Sequence, residues 1–169
     1  MKKRPLNIIG NSALITVAGT PNVPAKIDTG AEFSSIWASE INLTPDNRLE
    51  FCLFAPGSPF YTGKKLSTDD FRVRNVRNST GHEQIRYRVH LSIILKGRKI
   101  RANFTLSDRS RNNFPVLIGR RVLAGKFLVD VSELEVPYPK KEGEQELNEE
   151  LAADPQKFHE KYMKGQKSL

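Results

Sequence analysis

A mostly-β domain with one short helix is the fold class this sequence predicts, and three observations predict it. Short runs of β-branched and apolar residues recur between Gly, Pro and Asn turns. The stretch from Phe71 to Leu95 carries the alternation of a hairpin. A single short helical segment, Arg120 to Ala124, falls between strand-like runs and is closed by Gly125. With 169 residues and 38% hydrophobic content, the chain supports one domain with a modest core. We place that domain at residues 1–132 and a charged, partly helical or disordered tail at 133–169.

The elements follow in order. Ala13-Leu14-Ile15-Thr16-Val17 is a strand, Gly19-Thr20-Pro21-Asn22 a turn, and Val23 to Ile27 a second strand. Pro45, Pro56, Gly57, Pro59 and Gly63 mark residues 46–66 as loop or short edge strands. In the hairpin, Asn78-Ser79-Thr80-Gly81 is the turn. Alternation sets Arg72 and Arg74 on one face of the first arm, and Arg86, Arg88 and His90 on one face of the return arm. Lys99 to Leu106, Phe114 to Ile118 and Phe127 to Val131 are further strands. Pro137, Pro139 and the Glu-rich run from Glu142 read as a solvated linker, with helical pieces at Leu147–Leu151 and Pro155–Met163.

Charge narrows the partners. Residues 1–132 carry 21 Lys+Arg against 10 Asp+Glu, whereas residues 133–169 carry 6 against 9. A basic body suits an acidic partner, either nucleic acid or a glutamate-rich peptide. No run approaches the ~20 apolar residues of a spanning helix, so no membrane role is expected. Met1 to Ala18 has some features of a signal peptide, but Asn7, Gly10, Asn11 and Ser12 break its apolar stretch. The lone cysteine, Cys52, excludes an intrachain disulfide and suits a reducing compartment. The expectation is a cytoplasmic protein.

Asp28-Thr29-Gly30-Ala31 carries the chemistry. It occurs once, between Lys26-Ile27 and Ser34-Ser35-Ile36-Trp37. Metal-free peptide hydrolysis needs an activated water and a proton for the leaving amine. Two close carboxylates supply both, because their like charges make the pair share one proton. Gly30 permits close approach of two such loops, small Ala31 keeps the cleft floor open, and the Thr29 hydroxyl can brace the loop. A tripeptide alone also reads as a simple turn. Downstream, Val116-Leu117-Ile118-Gly119-Arg120 adds an apolar-apolar-Gly strand before a short helix.

Together these residues resemble the retropepsin-like aspartic proteases. With Phe104 to Ser110, Phe114 to Arg121 and Leu128 to Val131, they resemble the bacterial family labelled ATP-dependent zinc protease. The resemblance spans about residues 7–131 and implies an acid-protease barrel, an aspartic peptidase, and relatives that trim glutamate tails added to a ribosomal protein by an ATP-grasp ligase. It also implies a homodimer, since each chain brings one aspartate. Zinc and ATP do not follow from the residues. There is no His-Glu-x-x-His, His82, His90 and His159 are widely spaced, and no Gly-rich phosphate loop is present. No cofactor and no metal are expected.

Two positions depart from the family's usual residues: Trp37 stands where His is common, and Glu32 where Lys or Arg is common. The retroviral relatives imply an ion pair between Glu32 and Arg120. The catalytic set is therefore Asp28, Thr29 and Gly30, with Ala31, Arg72, Arg74, Arg86 and Arg88 as substrate-binding candidates. Those four arginines read equally as a solvated hairpin face. Arg109 reads as a structural ion-pair partner, and Phe33 as core or cleft wall. The rival function is a non-catalytic basic β-domain binding RNA or an acidic protein, and nucleic acid is the less favoured partner. A further expectation is that the Glu142–Glu150 run docks in the basic cleft.

Overall fold

The computed structural model describes residues 5–77, 83–138 and 143–162. The Asn78–Gly81 turn, His82 and residues 139–142 lie outside them. The chain divides into two compact units, Met1–Pro137 and Tyr138–Leu169.

The first unit is built on strands β1 (Asn7–Ile9), β2 (Ser12–Val17), β3 (Thr20–Asp28), β4 (Ser34–Leu43), β5 (Leu49–Leu53), β6 (Lys65–Thr68), β7 (Phe71–Arg77), β8 (Glu83–Leu95), β9 (Arg98–Ser107), β10 (Val116–Gly119) and β11 (Phe127–Val129). One short helix, α1 (Arg120–Leu123), separates β10 from β11. The order β10-β3-β2-β8-β9-β4 closes on itself, because β10 also pairs with β4. The result is a closed six-strand barrel, as the acid-protease reading requires. Closure removes the exposed edges those six strands would otherwise present.

Period-2 patterning points the core inward. From Val89 to Leu95 in β8, every second residue is buried and the rest are exposed. In β3, Val23, Ala25 and Ile27 are buried. Asp28 therefore falls on the opposite parity from Ile27, at the strand's half-exposed end. Ile36, Phe104, Val116 and Ile118 fill the barrel with essentially no exposure.

The β2–β3 turn is tighter than expected. Val17 pairs with Thr20, leaving only Ala18 (φ 46°) and Gly19 (φ 90°) in the turn. Positive φ at both positions is the twist-matched two-residue hairpin, so β3 begins at Thr20 rather than after Asn22. Residues 46–66 are also more ordered than their Pro and Gly content suggests. β5 pairs with β4 and β6, and Leu49, Phe51 and Phe54 are almost fully buried.

The body extends five residues past the expected boundary at 132. The Ser12 hydroxyl donates to Val136 O (2.6 Å) and accepts from Val136 N (2.9 Å). Asn11 N donates to Glu133 O (2.8 Å), and Lys96 pairs with Glu135 (2.7 Å).

The second unit contains α2 (Glu144–Ala153) and α3 (Pro155–Tyr162). Asp154 caps α3 through Lys157 N (3.0 Å), and Glu150 ties the helices by accepting from Lys161 (2.7 Å) and the Tyr162 hydroxyl (2.9 Å). No helix among the described residues is long and apolar enough to cross a membrane.

Candidate active site

β10 runs parallel to β3 in a register that sets Gly119 beside Asp28, and antiparallel to β4 through Val116↔Ile36 and Leu117↔Ser35. The loop from Thr29 to Phe33 leaves β3 and returns as β4, so β10 lies directly beneath it. The backbone there comes very close. A Cβ on Gly119 would lie 2.6 Å from Phe33 C and O and 2.9 Å from Ala31 O. Only a residue without a side chain fits.

Hydrogen bonds fix this junction. Arg120 N donates to Ala31 O (2.8 Å), Arg121 N to Glu32 O (3.3 Å), and Gly119 N to the Ser34 hydroxyl (3.1 Å). Buried hydroxyls continue the network outward from β4: Ser35 Oγ lies 2.7 Å from Ser107 Oγ, and Thr105 Oγ1 donates to Ser34 O (3.3 Å). These pairs satisfy polar groups that burial would otherwise penalise.

Asp28 stands at the mouth of this frame. Its Oδ1 accepts from Gly30 N (3.0 Å) and Ala31 N (3.1 Å). Oδ2 has no protein donor among the described residues. The carboxylate is thus held by one oxygen, while the other is left for a water or a second carboxyl group. Thr29 and Gly30 form the exposed tip of the loop.

The arginine hairpin covers one side. β7 and β8 pair with Arg72 opposite Arg88 and Arg74 opposite Arg86, which puts all four guanidiniums on one face. Like charges in direct cross-strand register oppose pairing, so neighbouring groups must compensate. Arg74 meets Glu32 (3.9 Å), and its guanidinium sits 3.9 Å from the centre of the Phe33 ring. Arg121 and Arg88 lie 4.5 Å and 5.1 Å from the same ring. One phenyl ring serves three cations, each contact contributing ~0.5–1 kcal/mol. Phe33 is therefore a charge-binding wall, not core.

The expected Glu32–Arg120 pair is corrected by the neighbouring residue. Arg121 donates from Nε (3.0 Å) and Nη2 (2.7 Å) to Glu32 Oε1. Arg120 Nη1 donates instead to Gly30 O (3.3 Å). The cause is helical phase: α1 turns ~100° per residue, so its first two side chains point in different directions.

A cavity of about 370 Å³ opens between the Asp28 loop and the hairpin. Ala31, Arg74, Arg86 and Arg109 line it. Arg72 and Arg88 line a separate hollow of about 130 Å³ with Asp70 and His90, so the four hairpin arginines are divided between two sites. Arg109 was not expected here. It lies in the β9–β10 loop, and its Nε donates to Phe114 O (3.0 Å). Burial lowers its pKa, nearby Arg86 lowers it further, and Asp28 opposes the shift. Burial likewise lowers the pKa of Arg86. Only the loop's long-range return onto β10 brings Arg109 to the cleft, and no local pattern signals that.

Among the described residues, no group of three His, Cys, Asp or Glu side chains could hold a metal ion. His90 Nδ1 lies 2.9 Å from Asp70 Oδ2, and His159 lies in α3.

Comparison with known proteins adds the family. The model described as RimB-like, "Retropepsin-like aspartic endopeptidase RimB", matches residues 9–140. A "Probable alpha-L-glutamate ligase" of Shewanella pealeana is 31% identical over 124 residues, covering 68% of this chain and 26% of that protein. One of the same name from Parasynechococcus marenigrum is 27% identical over 117 residues, covering 66% of this chain and 25% of that protein. This chain thus spans about a quarter of the length of these curated relatives. Among solved structures, protein Lpg0085 of Legionella pneumophila aligns with a TM-score of 0.55 at 22% identity, covering 75% of this chain and 95% of that one. That likeness concerns the fold.

Proposed function

The chain belongs to the RimB-like family of retropepsin-like aspartic endopeptidases, and on that premise we propose that it is an aspartic peptidase acting as a homodimer on glutamate-rich peptides or tails. The observation that carries this reading is the Asp28 carboxylate, held by one oxygen at an exposed loop tip. A two-fold axis through that tip turns one aspartate into a pair. In the pair, one carboxylate takes a proton from water and the other, protonated, donates to the leaving amine. Thr29 and Gly30 shape the loop, and Ala31 keeps its floor open. No metal or cofactor enters this scheme.

The acidic substrate is supported by the arginines around the cleft and by the name of the longer relatives, which describes joining of glutamate. That name belongs to proteins of which this chain matches a quarter, and the sequence carries no Gly-rich phosphate loop of its own. A cytoplasmic setting accords with the buried free thiol of Cys52, whose pKa is raised by its burial.

The test is turnover of poly-glutamate and of neutral peptides by wild type and by Asp28→Asn. Loss of a general acid–base carboxylate lowers the rate by about 10²–10⁴-fold. Equal turnover by both proteins refutes the peptidase. A second reading, a basic domain that binds an acidic protein or RNA without cleaving it, is favoured by the same arginines. Steeply salt-dependent binding that is unchanged in Asp28→Asn, with no cleavage by either protein, selects it.

A further inference from the structure

We propose that the cavity beside Asp28 is a receptor for one glutamate side chain of the bound peptide, with Arg86 and Arg109 as the residues that hold its carboxylate. The inference rests on the peptidase reading and deepens it.

Four arginines line the cavity, and they are not equivalent: Arg77 is already paired with Glu83 (2.7 Å). Arg74 is already matched, by Glu32 (3.9 Å) and by the face of Phe33. Arg86 and Arg109 form no ion pair among the described residues. Each spends its Nε on a neutral oxygen: Arg86 on Gln84 Oε1 (2.9 Å) and Arg109 on Phe114 O (3.0 Å). Those bonds fix the planes of both forks. The terminal Nη groups have no protein acceptor among the described residues. Both side chains are half-buried, so each charge has lost part of its hydration; Asp28 offsets this for Arg109 only in part and without a hydrogen bond, and Arg86 has no paired carboxylate among the described residues. That arrangement is costly, and an incoming carboxylate relieves it with charge-assisted hydrogen bonds.

The rest of the lining indicates the shape of the guest. Ala31, Val76 and Leu117 give an apolar wall, which suits methylenes leading to a terminal charge. Glutamate meets both demands. Glutamine fills the same space but leaves two guanidiniums uncompensated. Specificity then arises chiefly from what a neutral side chain fails to satisfy. Glu32 contributes by engaging Arg74 and Arg121, so its own carboxylate is committed away from the two free forks.

The experiment uses the full chain carrying Asp28→Asn, so that binding is read without cleavage. Short fluorescent Ala/Gln peptides bear one Glu or a Gln in its place, each with a free or an amidated C-terminus. Anisotropy titrations should show about 10- to 100-fold tighter binding of the Glu peptide, the range expected for a charge-assisted pair. C-terminal amidation should leave that ratio intact. Arg86→Met and Arg109→Met should each reduce the ratio below about 3-fold, while Gln-peptide affinity changes less than about 2-fold. Arg109→Lys, which keeps charge but loses the fork, should retain part of the preference. Arg101→Met, remote from the cavity, should retain all of it. Urea midpoints confirm that each variant is folded. The proposal is overturned if no Glu preference exists, if the preference survives both Met variants, or if amidation alone abolishes it. Asp28-dependent cleavage of neutral peptides, measured separately, shows whether the peptidase reading stands when the receptor does not.

Discussion

Replacing Gly119 by alanine tests the frame beneath the catalytic loop. Gly119 has φ −85° and ψ 168°, a conformation open to any residue, so the substitution carries no backbone strain. What it carries is collision. The new Cβ would lie 2.6 Å from Phe33 C and O, against 3.4 Å for an ordinary contact, so the loop must retreat by about 0.8 Å. The same retreat stretches the 2.8 Å bond from Arg120 N to Ala31 O beyond hydrogen-bonding reach. It also drags Ala31 N, one of the two donors on Asp28 Oδ1. Overpacking and one lost bond together cost about 2–4 kcal/mol. A misplacement of this size at a reacting group costs about 10²-fold in rate. Ser34→Ala is the comparison, because it removes the acceptor of Gly119 N–H without adding bulk. It should cost about 1–3 kcal/mol with a much smaller loss of rate. Urea unfolding and peptide turnover read both. A Gly119→Ala protein within about 0.5 kcal/mol of wild type, and within about threefold in turnover, refutes the packing argument.

Three other outcomes are expected. Glu32→Gln should change stability by less than about 1 kcal/mol, because its ion pairs are solvent-exposed, yet amide hydrogen exchange in β7 should accelerate as Arg74 is released. Truncation after Ser132 strips the buried Ser12 hydroxyl of both Val136 partners and should cost about 2 kcal/mol or more in urea unfolding. The Asp130 carboxyl is held below 3.8 by the Ser132 hydroxyl and then by Ser132 N–H. Its stabilising contribution is therefore present above about pH 4 and lost as pH falls through the lowered value. The deficit of Ser132→Ala in thermal melts should accordingly be constant above about pH 5 and vanish in stronger acid.

Much of the site is local and so was legible. The Asp28 loop is contiguous, and strand parity alone sets Arg72 with Arg74 on one face of β7 and Arg86 with Arg88 on one face of β8, while the register between the two strands brings the four together. What parity cannot supply is the depth at which each residue meets the cleft, which is why the division of the four arginines between two hollows is not visible in the sequence. The exchange of Arg120 for Arg121 turns on the phase of a one-turn helix, which no spacing rule specifies. Arg109 depends on a loop folding back onto β10. The buried β5 was obscured by the surrounding prolines and glycines, although Leu49, Phe51 and Leu53 alternate as a strand should.

The parallel pair of β1 and β11 has a consequence beyond the barrel. Asn7 lies in register with Phe127 and Ile9 with Val129, and Asp130 N donates to Ile9 O (2.8 Å). The first and last strands of the body are thus zipped side by side, outside the closed ring. A unit whose entry and exit are adjacent can be carried within a longer polypeptide with little disturbance to its host. The same zipper ties the two end strands of the body to each other, and the Ser12–Val136 bonds extend that tie into the segment that follows β11.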